Sequence, residues 1–168
     1  MKKLLFVLTI VALSTTVNAQ STKPAMMAKP VTFSVGLEVA LPTGDFGKVY
    51  SVGYGASFQG EFAVANSVGV TLNAGYMTYA FKSQYGTGHA GFVPVMGGLK
   101  YNIAAGPYLH AQAGAAFGTS SGQGTSFVYA AGIGYGFTKA IDAELKYQAY
   151  SQTGGSLGSV GLRLAYNF

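Results

Sequence analysis

The amino-acid sequence predicts an all-β fold, an eight-stranded antiparallel up-and-down transmembrane β-barrel. Three observations predict it. Charged residues make up only 9% of the 168 residues, whereas about 25% is usual for a water-soluble domain. No apolar run beyond the N-terminus approaches the roughly 18 residues that a transmembrane helix requires. From Val31 onward, apolar and polar residues alternate with the period of two that is typical of β-strands.

The N-terminal residues carry the pattern of a secretory signal peptide. Two lysines precede an apolar run over residues 4–13, and small residues ending at Ala19 precede a cleavage position at Gln20. An apolar core of this length is too short to cross a bilayer as a helix, which favours cleavage over an uncleaved anchor. The sequence therefore predicts that residues 1–19 are a signal peptide removed on export.

Residues 20–30 contain lysines and prolines without periodicity, which predicts a disordered periplasmic lead before a barrel over residues 31–168. The chain has no cysteine, and this excludes disulfides, thiolate metal sites and a lipoprotein anchor. Its basic residues are scattered singly rather than interleaved with aromatic residues, so no nucleic-acid partner is predicted.

Eight segments carry the alternation, and each predicts one strand. In every segment, aromatic and aliphatic side chains fall on one face, whereas glycine, small polar and charged side chains fall on the other. Clusters of Gly, Ser, Thr, Asn and Pro separate the segments, as turns require. In chain order the segments are 31–41, 51–64, 68–79, 93–103, 108–117, 127–137, 141–149 and 157–168.

In the first four segments the bulky face is clear, except that the third loses its pattern at Met77 and Tyr79. Its members are Phe33, Val35, Leu37, Val39 and Leu41; Val52, Tyr54, Ala56, Phe58, Phe62 and Val64; Val70, Leu72 and Tyr76; and Val95, Leu99 and Tyr101. In the last four segments the bulky members are Leu109, Ala111, Ala113 and Phe117; Tyr129, Ala131, Ile133, Tyr135 and Phe137; Ile141, Ala143, Leu145 and Tyr147; and Val160, Leu162, Leu164, Tyr166 and Phe168.

The lengths of the segments and of their connections fit a bilayer. A tilted transmembrane strand needs about nine to eleven residues, and an even number of strands returns both chain ends to one side. Short connections are predicted at 65–67, 104–106 and 138–140, and longer ones at 42–50, 81–91, 118–126 and 150–156. We expect the short turns on the periplasmic side and the longer loops outside.

The bulky face is predicted to contact lipid. Eight strands enclose a space that side chains of ordinary size just fill, and rings from every strand would overfill it. The alternative, a soluble lipocalin-like barrel with the bulky face inside, would present water with a surface almost free of charge. Aromatic residues near the periplasmic strand ends are then expected to form an interfacial girdle; they are Phe33, Phe62, Tyr101, Phe137, Tyr166 and Phe168.

Charged residues on the inner face form the candidate site. They are Glu38, Glu61, Lys100, Asp142, Glu144, Lys146 and Arg163. Charges inside a barrel must pair or be hydrated, so we expect an ion-pair network that fills the lumen, with an ion-conducting or gating site as the alternative. If the last loop is symmetric about Thr153, Glu144 and Arg163 lie opposite each other and are predicted to meet.

No catalytic, cofactor-binding or metal site is predicted. Two histidines in separate segments make a poor metal site. We expect His110 to be a hydrogen-bonded lumen residue beside Lys100 or Tyr108, and His89 to be a solvated loop residue. The glycine pattern at residues 86–91 matches a dinucleotide fingerprint literally, but a strand follows it instead of the helix that this chemistry needs.

Two regions resemble a known family. One is the sequence GLEVALPTGDF over residues 36–46, and the other is the last strand, which ends in Tyr166, Asn167 and Phe168. They are similar to the small outer membrane β-barrel family related to OmpA- and OmpX-type barrels, over residues 31–168. The family signal usually has a glycine where this chain has Arg163. The resemblance implies a monomer in outer-membrane lipid, assembled by periplasmic chaperones and by barrel-insertion machinery that reads Tyr166 and Phe168.

The sequence predicts a non-enzymatic function. We expect an integral outer-membrane protein with a structural or surface-interaction role and a largely plugged lumen. A small non-specific pore is one alternative, because the inner glycines leave volume for water; they include Gly53, Gly55, Gly132, Gly134 and Gly136. A loop-based adhesin or ligand binder is another.

Overall fold

The computed structural model describes residues 31–120, 123–152 and 155–168. The predicted signal peptide, residues 1–19, and the predicted lead, residues 20–30, lie outside the described residues. So does Thr153, about which the last loop was expected to be symmetric.

Eight antiparallel strands form a closed barrel in which each strand pairs with the next and the last pairs with the first. The predicted fold class is therefore confirmed. The strands are β1 (Val31–Pro42), β2 (Tyr50–Ala63), β3 (Val68–Phe81), β4 (His89–Asn102), β5 (Pro107–Gly118), β6 (Thr125–Gly136), β7 (Ile141–Gln152) and β8 (Gly155–Asn167). A short helix α1 (Phe46–Val49) follows β1, and a 3₁₀ turn (Ser83–Tyr85) follows β3. Within the described ranges, neither helix has the length and apolarity to cross a membrane.

The pairing of β1 with β8 closes the barrel. Glu38 pairs in register with Arg163, and Ser34 with Asn167. The backbone N–H of Phe168 donates to the carbonyl of Phe33 over 2.9 Å, so the ladder continues to the last residue. Closure leaves none of these eight strands with an open edge, and this is what a sheet surrounded by lipid requires.

All four predicted loops are too long, because the strands beside them extend further than predicted, and the difference is clearest in two of them. The loop expected at 81–91 is occupied from His89 by β4, and His89 pairs with Ala80. His89 is therefore an exposed strand residue, not the loop residue that was predicted. The loop expected at 150–156 shrinks because Gln152 pairs with Gly155. Backbone pairing continues past the point where the apolar alternation fades. Strand ends predicted from the alternation alone therefore fall short of the observed ends.

The two ends of the barrel differ in their connections. We name as the short-turn end the one that carries the turns 64–67, 103–106 and 137–140, and the other as the loop end. The turn between β4 and β5 depends on Gly106, whose φ of 127° lies in the region that side chains disfavour. The chain ends of the barrel, at Val31 and Phe168, both lie at the short-turn end.

The predicted polarity of the wall is confirmed. Leu37 and Ile133, on the outer face, are 68% and 59% exposed, whereas Glu38 and Arg163, on the inner face, are 5% and 2% exposed. The six predicted girdle residues all lie near the short-turn end. Among them, the ring of Phe33 stacks on that of Phe168 with centroids 6.5 Å apart. The fold therefore presents an apolar belt outside and a charged interior.

Candidate functional site

Glu38 is the centre of the charged cluster inside the barrel. Nζ of Lys146 lies 2.8 Å from its Oε2, and Nε of Arg163 lies 3.8 Å from its Oε1. The hydroxyl of Ser57 also donates to Oε1. The charged side chains are nearly excluded from solvent, so one carboxylate compensates two buried cations. Desolvated charges are tolerated only when they are paired and hydrogen-bonded in this way.

Arg163 crosses the first strand to reach its partners. Its Nε donates to Ser57 on β2 over 3.0 Å, and its Nη2 donates to Ser34 on β1 over 3.0 Å. The guanidinium passes over Gly36, where an added Cβ would lie 2.7 Å from Cζ of Arg163. Position 36 therefore has to be glycine if the guanidinium is to keep this place.

His110 connects three strands. Its Nε2 lies 2.9 Å from the hydroxyl of Thr71 on β3, and its Nδ1 lies 3.1 Å from both carboxylate oxygens of Glu144 on β7. Hydroxyl, imidazole and carboxylate stand in the order found in hydrolase triads. However, Thr71, His110 and Glu144 are 1%, 3% and 2% exposed, so no substrate reaches the hydroxyl. The trio cross-links the interior.

The structure places Glu144 opposite Arg163 in the register of β7 and β8. It gives them different ion-pair partners, because the contacts of Glu144 go to His110 and those of Arg163 go to Glu38. The reason is a glycine in the neighbouring strand. Oε1 of Glu144 lies 3.0 Å from the place where a Cβ of Gly132 would be, so the carboxylate leans across β6 toward His110 on β5.

The same geometry recurs around the interior: polar side chains reach over a glycine to the strand beyond it. Glu61 on β2 passes Gly69 on β3 and contacts Nζ of Lys100 on β4 at 2.9 Å. Likewise, the ring of Tyr108 covers Gly134 on β6, and its hydroxyl donates to Asp142 on β7 over 2.8 Å. The inner glycines are therefore spacers beneath long side chains.

A polar cavity of about 420 Å³ opens at the short-turn end. Glu61, Lys100 and Asp142 line it, so three of the predicted site residues meet there and not in the central cluster. Nζ of Lys100 lies 4.2 Å from the centroid of the Tyr108 ring. We call this space the mouth cavity.

Toward the loop end, the interior is aromatic. Phe92 stacks on Tyr150 with centroids 4.7 Å apart, and Phe46 of α1 lies 4.7 Å from Tyr79. The hydroxyls of Tyr79 and Ser159 are 3.2 Å apart. Sequence reasoning missed this aromatic cluster. Strand parity was the available signal, since Tyr79, Phe92 and Tyr150 have the same parity as the inner residues of their strands.

One further ion pair lies on the surface of the loop end. Nζ of Lys48 is 2.7 Å from Oδ1 of Asp45, and both side chains are exposed. The hydrogen bond from Lys48, and then the positive charge of Lys48, lower the pKa of the Asp45 carboxyl. The same hydrogen bond, and then the negative charge of Asp45, raise the pKa of the Lys48 ammonium. Because the pair is solvated, it is expected to contribute little to stability.

Solved structures share this architecture. The crystal structure of Ail, the attachment invasion locus protein of Yersinia pestis, superposes with a TM-score of 0.60 at 20% identity, over 82% of this chain and 97% of that one. The N-terminal β-barrel domain of Pseudomonas aeruginosa OprF gives 0.61 at 18% identity, over 82% and 97%. The de novo designed protein TMB2.3 gives a TM-score of 0.56 at 18% identity, over 84% of this chain and 97% of that one.

These likenesses concern the fold, since the identities are low. No protein-family model matches the chain, and no curated protein matches it in sequence. Ail is an outer membrane protein, the OprF domain is a β-barrel, and TMB2.3 was designed de novo. The chain therefore has the fold of the small eight-stranded outer-membrane β-barrels.

Proposed function

We propose that the protein is an integral, non-enzymatic barrel of the bacterial outer membrane, with a structural or surface-interaction role and a lumen that does not conduct. The observation that carries this proposal is an apolar outer belt around a filled interior. A belt of exposed side chains such as Leu37 and Ile133 is stable in hydrocarbon and not in water. In a monomer, outer-membrane lipid covers this belt, and no protein partner is needed to cover it.

The orientation follows from the connections. Outer-membrane barrels keep their short turns in the periplasm, which puts the short-turn end and the mouth cavity on the periplasmic side. The loop end, with α1 and the exposed pair of Asp45 and Lys48, then faces outward. A loop-based adhesin has less support than the sequence suggested, because the connection expected at 81–91 is reduced to residues 82–88.

The interior argues against the pore alternative. Rings cover two of the glycines that were expected to leave open volume, with Tyr79 over Gly53 and Tyr108 over Gly134. A Cβ at Gly132 would meet Cβ of Lys146 at 2.8 Å. The space beside these glycines is therefore occupied by protein atoms and is closed to ions.

We expect the purified, refolded protein to form no channels in a planar bilayer. Insertion has to be demonstrated separately, by faster migration of the unboiled protein than of the boiled protein on a detergent gel, as a closed barrel predicts. A porin of known conductance serves as the positive control. Discrete single-channel steps from the folded form would contradict a non-conducting lumen, and equal migration of both forms would contradict the barrel itself.

We further propose that Tyr166 and Phe168 are read by the barrel-insertion machinery, after periplasmic chaperones have carried the chain. Deleting Phe168 is expected to lower the amount of folded barrel in bacterial outer membranes severalfold. Spontaneous refolding into detergent micelles should change little, because Phe168 adds one backbone hydrogen bond to the β1–β8 ladder.

The matched control for this deletion is Phe137→Ser. Phe137 is as exposed as Phe168 and lies at the same end of the barrel, but it is not at the chain terminus. A deletion that impairs refolding in micelles as strongly as assembly in cells would show that Phe168 acts through stability alone.

A further inference from the structure

The mouth cavity has the dimensions and lining of a ligand site. Its volume of about 420 Å³ falls within the roughly 300 to 1,000 Å³ typical of small-molecule pockets, which occur often in the mouths of β-barrels. Charged and amide side chains from separate strands and one turn converge on it; they are Glu61, Lys100, Asn102, Lys139, Asp142 and Asn167.

The floor of the mouth cavity is fixed. The ring of Tyr108 is buried against Gly134, its hydroxyl donates to Oδ1 of Asp142, and Nζ of Lys100 lies over its face. Tyr108 is 3% exposed and lines the cavity. A ligand in the mouth cavity would therefore contact a preorganised floor, which lowers the entropic cost of binding.

The charges of the wall are balanced in sign. Lys100 and Lys139 stand against Glu61 and Asp142. Asp142 is held by two donors, since Nδ2 of Asn167 donates to its Oδ2 over 2.9 Å while Tyr108 bonds Oδ1. Lys100 is neutralised by Glu61. By contrast, Lys139 is exposed and makes no ion pair with any residue in the described part of the chain.

We propose that the mouth cavity binds a small zwitterion, a molecule that carries an ammonium group and a carboxylate, such as a free amino acid or a dipeptide. Lys139 receives the carboxylate, and Asp142, which makes hydrogen bonds but no ion pair within the described residues, receives the ammonium group. Because Glu61 and Lys100 neutralise each other, a pure anion would leave Asp142 without a cation, and a pure cation would leave Lys139 without an anion. Only a ligand with both charges is complemented at both ends.

The test uses glycylglycine as the probe and three capped forms as matched ligands. The refolded protein in detergent micelles is titrated while the side-chain amide signals of Asn102 and Asn167 are followed by NMR. We expect saturable shifts with glycylglycine and weaker binding of the N-acetyl and the C-amide forms. The doubly capped form should bind most weakly. Equal binding of all four would overturn the proposal.

Variants locate the site. Lys139→Gln should weaken glycylglycine binding up to about fivefold, the range for a solvated ion pair, whereas Lys82→Gln at the loop end should leave it unchanged. Gly136 lines the cavity, and the nearest atoms to a Cβ there are 3.8 Å away. Gly136→Phe should therefore fill the cavity and abolish binding in a folded barrel.

The matched control is Gly97→Phe, the same substitution on the outer wall, where the nearest atom to a Cβ is 3.9 Å away. It should bind glycylglycine as the unsubstituted protein does. Absence of saturable binding to the unsubstituted protein, or retained binding in Gly136→Phe, would overturn the proposal. Neither result depends on conductance or on location in a membrane, so failure here is distinguishable from failure of the proposed function.

Discussion

Replacing Glu38 with alanine is expected to lower the free energy of unfolding by about 3 to 5 kcal/mol, the cost of leaving a buried charge without its partner. Glu38 faces both Lys146 and Arg163, so its loss leaves two buried cations uncompensated. The loss also takes an acceptor from Ser57. Urea titration of the barrel in lipid vesicles, followed by tyrosine fluorescence and by migration on unboiled gels, measures the change.

Asp45→Ala is the control for this substitution. It also removes a carboxylate from an ion pair with a lysine, but that pair is exposed, so no measurable change is expected. Glu38→Gln tests the role of charge, because it keeps an acceptor for Ser57 while removing the negative charge. If Glu38→Ala unfolds at the same urea concentration as Asp45→Ala, the cluster around Glu38 does not stabilise the barrel.

Gly134→Val is expected to destabilise the barrel by about 3 kcal/mol or more, through overpacking and a lost hydrogen bond. A Cβ at this position would collide with the ring of Tyr108. The ring cannot move without breaking its bond to Asp142 and its contact with Lys100. The same urea titration in vesicles measures the effect.

The matched control lies two residues further along the same face of the same strand. Gly136→Val should have little effect on stability, because the nearest atoms to its Cβ are 3.8 Å away. Adding Tyr108→Ala should recover part of the loss caused by Gly134→Val, since the collision disappears. Equal destabilisation by the two valine substitutions would show that strand glycines matter here for the backbone and not for the ring above them.

The wall of the barrel could be predicted because it follows from local alternation. Residues such as Leu162 and Arg163 are neighbours in sequence and face opposite sides of the sheet, so a period of two fixes both assignments. The register of β7 and β8 could also be predicted, because a short connection between antiparallel strands allows few registers.

The contacts inside the barrel could not be predicted in the same way. Register identifies nearest neighbours, such as Glu144 and Arg163, but the observed partner of Glu144 is His110, two strands away. Whether a side chain crosses a strand depends on the glycine between them and on the curvature of a closed sheet. The alternation along one strand contains no information about the glycine in the neighbouring strand or about the curvature of the sheet.

The aromatic cluster was missed for a different reason. No face of the sheet was predicted for Tyr79, Phe92 or Tyr150, and all three side chains are buried. Each lies at the loop end of its strand, where the apolar alternation fades. Carrying the parity of β3, β4 and β7 past that point would have placed all three rings in the lumen.

The pairing of β1 with β8 has a consequence for synthesis of the chain. The edge of β1 exists as soon as Val31–Pro42 has been made, but its partner strand β8 (Gly155–Asn167) is made only after the other six strands. Until then, every intermediate has two unpaired edges, and such edges join to other chains. The barrel therefore cannot close while the chain is still being made strand by strand, because closure needs β8. Until β8 has been made, the free edge of β1 remains able to pair with a strand of another copy.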